Sequence, residues 1–142
     1  ILFRGGKPQD SLRELDYAIQ LAPAWDEPYL QKAITLESLG RFVESGELAR
    51  RVLKLNPENG NALALYGHSL RVAGDLKEAV RVLDKAQYYK PLSITPDYDL
   101  GLAYAKLGKT TQAEYHLNNF LRLAHPKHRW RPEVEATLAG LP

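Results

Sequence analysis

The stretch 74–91, with the sequence GDLKEAVRVLDKAQYYKP, is a template that recurs before and after it at one interval, and this recurrence indicates the fold. Six of its apolar side chains recur at steps of three or four residues, which is the spacing of one face of an α-helix, and charged side chains cover the other face. Glycine opens the stretch and proline closes it. The pattern predicts an amphipathic helix that starts after Gly74 and stops before Pro91.

Glycine and proline recur along the chain at one fixed interval. Glycines stand at Gly6, Gly40, Gly74 and Gly108, and prolines at Pro23, Pro57 and Pro91. A regular interval of this length is typical of a supersecondary unit that stacks on copies of itself. Each full unit is predicted to hold two helices, called here the A helix and the B helix, with glycine in the turn between them. The predicted A helices cover about 26–39 and 96–107, and the predicted B helices cover about 8–21, 42–55, 76–89 and 110–123.

The motifs of these units resemble the tetratricopeptide-repeat signature, which is large-x2-Leu-Gly-x2-Tyr, then Ala-x3-Phe-x2-Ala, then Pro. The third unit matches it at Leu63, Tyr66, Gly67, Leu70, Ala79, Leu83, Ala86 and Pro91, and the fourth at Leu100, Gly101, Tyr104, Ala113 and Leu117. Small residues at the helix crossings, Ala33, Gly67 and Gly101, let the paired backbones approach closely. Four departures stand out, at Lys32, Asp97, Phe120 and the displaced proline of His125-Pro126.

The resemblance implies an all-α chain, a right-handed α-solenoid of tandem 34-residue helix-turn-helix repeats with a C-terminal capping helix. We expect one domain over 1–142, with a partial repeat at 1–23, repeats at 24–57, 58–91 and 92–125, and the cap at 126–142. The cap should form a short helix near 132–138, with Trp130, Val134 and Leu138 covering the last repeat. The first unit lacks the start of its A helix, so we expect the natural protein to continue upstream.

Composition argues against several classes of function. Nineteen Lys and Arg against 17 Asp and Glu give a formal net charge of +2, without the basic excess expected of a nucleic-acid groove. The absence of Cys excludes disulfides and Cys-based zinc sites. No apolar run is long enough for a membrane span, so we expect a soluble chain, cytoplasmic or bacterial periplasmic. The chain holds no Met and opens on Ile1, which indicates a piece of a longer protein.

Catalytic and metal-binding motifs are missing from the sequence. There is no Gly-rich phosphate loop, no His-Glu-x2-His and no nucleophile elbow, so we expect neither an enzyme nor a cofactor. His125 and His128 have helical spacing, but no third ligand accompanies them and a closed zinc site needs four. We interpret this pair as a solvated helix end. The basic residues around it are expected to complement the carboxyl end of the last B helix.

The A helices of tetratricopeptide arrays line a concave groove that holds a peptide or a partner helix, and the resemblance carries that role to this chain. Steps of three and four residues keep each candidate stripe on one helical face. The candidate groove residues are Glu27, Leu30, Ile34, Glu37, Asn61, His68, Arg71, Tyr98, Leu102 and Lys106, with Ser38, Ala64, Val72, Thr95 and Ala105 beside them. We expect an apolar floor with a charged rim, suited to a partner segment with two or three apolar anchors. The alternative is that Leu30 and Ile34 simply pack against a neighbouring unit.

Some members of this family hold the C-terminal carboxylate of heat-shock chaperones with a basic and amide clamp. The matching positions here carry Leu30, Ile34, Leu65, Thr95 and Asp99, which cannot make charge-assisted bonds to a carboxylate. Binding of chaperone tails is therefore disfavoured.

We predict a protein–protein interaction scaffold whose partner is a protein or peptide. The alternative is a non-catalytic accessory region of a larger enzyme, such as a bacterial envelope metallopeptidase. Helical-repeat RNA binding is disfavoured by the near-neutral charge. Self-association is a further possibility, because the incomplete first repeat would expose an apolar face around Ile1, Leu2, Phe3 and Leu12.

Overall fold

Helices and short turns alternate along the chain, as the periodicity predicts. The computed structural model describes residues 7–89 and 95–142, and within these ranges it contains eight helices and no strand. The helices are α1 (Pro8–Leu21), α2 (Asp26–Ser38), α3 (Phe42–Leu55), α4 (Gly60–Ala73), α5 (Leu76–Tyr88), α6 (Thr95–Lys106), α7 (Thr110–Leu123) and α8 (Arg131–Ala139). The predicted all-α solenoid is confirmed, and the predicted helix ends differ from the observed ones by at most one residue, which is ordinary for helix termini. The division of the chain into repeat units stays a prediction.

The turns between A and B helices owe their shape to the periodic glycines. Gly40, Gly74 and Gly108 have φ angles of 76°, 89° and 75°, in the left-handed region that glycine adopts without strain. The next residue then donates its N–H back to the helix, as Asp75 does to the Leu70 carbonyl oxygen at 2.9 Å. The same bond follows Gly40 and Gly108, also at 2.9 Å. The first periodic glycine, Gly6, lies outside the described residues.

Successive helices pack on one another and build a solenoid. Each helix from α1 to α8 contacts the next, and the A helices α2, α4 and α6 also contact one another in order. The B helices α1, α3, α5 and α7 therefore form the opposite, convex layer. The terminal helix α8 contacts both α6 and α7, which is the position that a further A helix would occupy.

Side-chain size is matched across the A–B crossings. A Cβ atom on Gly67 would lie 2.4 Å from Leu83 Cγ, and one on Gly101 would lie 2.3 Å from Leu117 Cδ2. The equivalent crossing between α2 and α3 instead pairs two fully buried alanines, Ala33 and Ala49. A large B-helix residue thus faces glycine and a small one faces alanine, which confirms the role predicted for the small residues.

Phe120 departs from the repeat template because the capping segment packs on it. Its side chain is fully buried, and its ring centroid lies 5.1 Å from that of His128 and 5.8 Å from that of Tyr98. The predicted covering residues Trp130, Val134 and Leu138 belong to the same apolar cluster. A bulky residue at this position therefore supplies the surface that ends the array.

Lys32 and Asp97 replace apolar residues of the template, and both have polar partners. Lys32 Nζ donates to Asp16 Oδ1 of the preceding helix at 2.6 Å. Asp97 is buried and accepts hydrogen bonds from Gln87 Nε2 at 2.8 Å and His116 Nδ1 at 3.0 Å. These bonds offset the cost of placing polar groups at core positions.

None of the helices in the described ranges combines the length and apolar composition required to cross a membrane. The face predicted for self-association lies mostly outside these ranges, since Ile1, Leu2 and Phe3 are not described. Leu12 is half-buried on α1.

Candidate functional site

The A helices and the segment that follows α7 enclose a cavity of about 670 Å³ on the concave side. We call it the concave cavity. Its volume lies within the range of ligand-binding clefts in proteins. The lining residues are Ile34, Glu37, Ser38, Gly40, Phe42, His68, Arg71, Val72, Thr95, Tyr98, Arg129 and Trp130.

The residues predicted from the sequence distribute over three neighbouring cavities. Five of them line the concave cavity: Ile34, Glu37, His68, Arg71 and Tyr98. Asn61 lines a cavity of about 150 Å³ that also contacts Ile34 and Glu37. Leu102 and Lys106 line a cavity of about 380 Å³ beside α8. Glu27 lines none of these three cavities, and its carboxylate accepts a hydrogen bond from Gln31 Nε2 at 2.9 Å.

The apolar residues of the predicted stripes differ in their exposure to solvent. Leu30 and Leu102 are only 7% and 8% exposed and belong to core clusters. Ile34 and Val72 are 39% and 44% exposed, and both line the concave cavity. The accessible apolar surface of the cavity therefore includes Ile34 and Val72, whereas Leu30 and Leu102 support the helices from beneath.

Asp99 holds together the charged floor of the concave cavity. Its carboxylate is fully buried and accepts hydrogen bonds from Arg71 Nε and from His68 Nδ1, the latter at 2.9 Å. Because a carboxylate only accepts, His68 carries a proton on Nδ1. His68 Nε2 lies 3.6 Å from Glu37 Oε1. The ionisable groups of the floor are therefore partnered with one another across α2, α4 and α6.

Glu37 is the carboxyl group at the edge of this network. Burial raises its pKa above the usual range, the nearby His68 lowers it, and Asp99 raises it further. A carboxyl whose pKa is raised on folding contributes most to stability below the unfolded pKa of about 4.3, and that contribution is lost as pH rises through the folded pKa.

We expect Glu37→Gln to become more stable relative to the parent as pH rises from about 3.5 to 7. The parent must ionise Glu37 in a partly desolvated site over that interval, and the variant does not. Urea denaturation of both proteins along a pH series measures this difference. Glu78 is the matched control, because its hydrogen bond with Arg81 lowers its pKa, and Glu78→Gln should change stability in the opposite sense. Parallel pH profiles for the parent and Glu37→Gln would contradict the assignment.

Trp130 brings the capping segment into the concave cavity. Its indole stacks on the Tyr98 ring with centroids 4.1 Å apart and an interplanar angle of 16°. The Arg129 guanidinium also lies over this indole, with Cζ 5.2 Å from the ring centroid. Burial raises the pKa of Tyr98, and its hydroxyl donates to Glu133 of α8, which raises that pKa further. The cap therefore forms one wall of the cavity as well as covering the last repeat.

Phe42, Arg129 and Trp130 line the cavity although the sequence analysis did not place them there. Phe42 belongs to a B helix, and the other two follow the last repeat, so no stripe on an A helix includes them. Trp130, which closely follows Pro126, is the sequence signal for this wall of the cavity, although its position alone predicts only that it covers the last repeat.

The two histidines that follow α7 accept hydrogen bonds from nearby backbone N–H groups. His125 Nδ1 accepts from the Lys127 N–H at 3.0 Å, and His128 Nδ1 accepts from the Trp130 N–H at 3.2 Å. Arg131 Nη1 donates to the Leu121 carbonyl oxygen at 3.0 Å, as expected for a cation near the end of the last B helix. Across residues 7–89 and 95–142, no three His, Cys, Asp or Glu side chains come together in a way that could hold a metal ion.

Comparison with solved structures shows the fold. The chain is similar to YrrB, described as a TPR protein with an unusual peptide-binding site, at 21% identity and a TM-score of 0.72, covering 87% of this chain and 62% of that one. It is also similar to pilF of Pseudomonas aeruginosa, at 23% identity and a TM-score of 0.74, covering 94% of this chain and 60% of that one. A third similar structure is an O-GlcNAc transferase of Thermobaculum terrenum, at 22% identity and a TM-score of 0.68, covering 94% of this chain and 23% of that one.

Among curated proteins, the chain is similar to "Protein STIP1 homolog" of Dictyostelium discoideum. The two are 33% identical over 93 residues, which cover 63% of this chain and 16% of that protein. The chain thus spans about one sixth of the length of this relative. No protein-family model matches the chain.

Proposed function

Because this chain has the fold of a tetratricopeptide-repeat array, we propose that it is a protein–protein interaction scaffold that binds a segment of a partner protein in the concave cavity. The supporting observation is the pairing of exposed Ile34 and Val72 within one cavity of about 670 Å³. Exposed apolar side chains gathered in a cleft are the usual anchor sites for a partner segment. The peptide-binding site described for the similar YrrB agrees with this proposal.

The floor of the cavity indicates what kind of segment it takes. Arg71 and His68 both donate to Asp99, so a charged group on the partner would compete with bonds that already exist. An apolar or aromatic side chain instead covers Ile34 and Val72 and can pack against the half-buried Trp130 ring. We therefore propose a peptide or helix with at least one large apolar anchor. No described residue favours the alternative of an accessory region in a larger enzyme.

Panning a random peptide library on the purified chain tests this proposal. We expect the selected peptides to share apolar anchors and to bind the variant Ile34→Glu/Val72→Glu at least about tenfold more weakly, a loss of about 1.4 kcal/mol. The reason is that two carboxylates would replace the exposed apolar surface of the cavity. Isothermal titration calorimetry of a selected peptide with each protein measures the change.

The matched control is Leu55→Glu/Leu123→Glu. These leucines are each 55% exposed and lie at the ends of B helices, away from the concave cavity, and the change in charge is the same. The control should bind the peptide as the parent does. Equal loss in both variants, or no loss in the cavity variant, would overturn the proposal. Self-association through the exposed face of the N-terminal repeat stays a prediction.

A further inference from the structure

A second groove lies on the convex side, between the B helices α3 and α5. No Cα atom of α3 comes within 8 Å of one of α5, and α4 packs against both helices. The two B helices therefore form the walls and α4 contributes the floor, where Leu63 and Tyr66 lie between Leu53 and Val82. The groove encloses about 310 Å³. We call it the convex groove.

Four exposed cations line the walls of the convex groove. Arg50 and Lys54 lie one turn apart on α3, and Arg81 and Lys85 lie one turn apart on α5. Glu78 is the acidic lining residue, and its carboxylate is bonded to Arg81. Within the described residues, Arg50, Lys54 and Lys85 form no ion pair and no side-chain hydrogen bond. Three of the four positive charges are thus available to a ligand.

The repeat itself does not explain this charge, because the equivalent grooves have a different composition. The four matching positions in the preceding pair of repeats hold Asp16, Gln20, Glu47 and Arg51. The four matching positions in the following pair hold Asp84, Tyr88, Tyr115 and Asn119. The four groove cations therefore carry a formal charge of +4, whereas the matching four positions on either side each sum to −1. The net charge of the whole chain is only +2. A template that needed cations for folding would carry them in every unit, so the folding of the repeat does not account for these four.

We propose that the convex groove binds an acidic protein segment in which Asp and Glu flank an apolar residue. The two rows of cations face carboxylates on both edges of such a segment, and the half-buried Leu53 and Tyr66 on the floor contact the apolar side chain. Single-stranded nucleic acid fits less well, because it stacks successive bases on several aromatic rings and Tyr66 is the one aromatic residue among the described residues that line the groove. The groove lies on the face opposite the concave cavity, so this site is independent of the function proposed above.

Fluorescence anisotropy with a labelled synthetic peptide tests the proposal. The probe is a short peptide rich in Asp and Glu with a central Leu, and its neutral counterpart carries Asn and Gln instead. We expect the chain to bind the acidic peptide and not the neutral one at an ionic strength of about 0.05 M, with weaker binding as salt increases. The variant Lys54→Glu/Lys85→Glu should bind the acidic peptide at least about tenfold more weakly.

The control variant Lys77→Glu/Lys109→Glu separates the groove from bulk charge. Both double substitutions change the formal net charge by −4, from +2 to −2, and all four lysines are exposed. The control should weaken binding less than about threefold. Lys54→Gln/Lys85→Gln should show an intermediate loss, and circular dichroism should show equal helix content in all variants.

Three results would each overturn the proposal. One is the absence of binding by the parent chain at low salt. Another is equal weakening by the groove variant and the control, which would show attraction to net charge alone. The third is tighter binding of a single-stranded oligothymidylate than of the acidic peptide, which would assign the groove to nucleic acid.

Discussion

Replacing Asp99 by alanine is expected to lower the free energy of unfolding by about 3–5 kcal/mol. The Asp99 carboxylate is fully buried and bonded to Arg71 and His68, which are themselves largely buried. Removal of this carboxylate would leave the Arg71 charge without its partner in a desolvated site. Urea denaturation of the parent and the variant measures the loss.

Asp75→Ala is the control for this substitution. Asp75 is exposed and makes no side-chain capping bond at the start of α5, so its replacement should change stability by less than about 0.5 kcal/mol. A double-mutant cycle isolates the pair, since Arg71→Ala should cost about 0.5–3 kcal/mol less in the Asp99→Ala background than in the parent. Additive losses would show that the two side chains do not act together.

Substitutions at the crossing of α6 and α7 are also expected to change stability strongly. Gly101→Ala is expected to destabilise the parent by about 1–3 kcal/mol, because the new Cβ would lie 2.3 Å from Leu117 Cδ2. Leu117→Ala alone should cost about 2–5 kcal/mol, since it removes a fully buried side chain. In the Leu117→Ala background, Gly101→Ala should change stability by less than about 0.5 kcal/mol, because the higher helix propensity of alanine is set against a remaining contact of 3.2 Å between the new Cβ and the backbone nitrogen of residue 117.

The loss of this penalty in the Leu117→Ala background is expected because the chain already contains such a pair. The α2–α3 crossing holds Ala33 opposite Ala49, so two Cβ atoms fit at the same place in the repeat. Gly140→Ala is the control, because a Cβ there would meet nothing closer than 3.6 Å, and it should leave stability nearly unchanged. Equal effects of Gly101→Ala in both backgrounds, measured by urea denaturation, would show that Leu117 does not set the size of residue 101.

The features of the concave cavity that the periodicity did not predict depend on contacts between residues distant in sequence. Leu30 and Ile34 are one turn apart on α2 and belong to the same predicted stripe, yet Leu30 is 7% and Ile34 39% exposed. Helical spacing places both side chains on one face, but it does not determine which of them the neighbouring helix covers. For Asp99, the sequence pattern predicts only that it is unsuited to a carboxylate clamp, and not that it bonds to Arg71 and His68. Its partners lie 28 and 31 residues away, which a local pattern does not connect.

The helices, their order and the turns that join them could all be predicted from the amino-acid sequence. Those features depend on short-range chemistry, namely apolar spacing within a helix and glycine at a positive φ in each turn, and the same chemistry returns in every unit. The packing of the helices, in contrast, determines which stripe residues stay exposed, places Trp130 on Tyr98 in the concave cavity, and turns the cations of α3 and α5 toward one groove. Those features depend on the stacking of whole helices, which brings together residues that the repeat period keeps far apart in the chain.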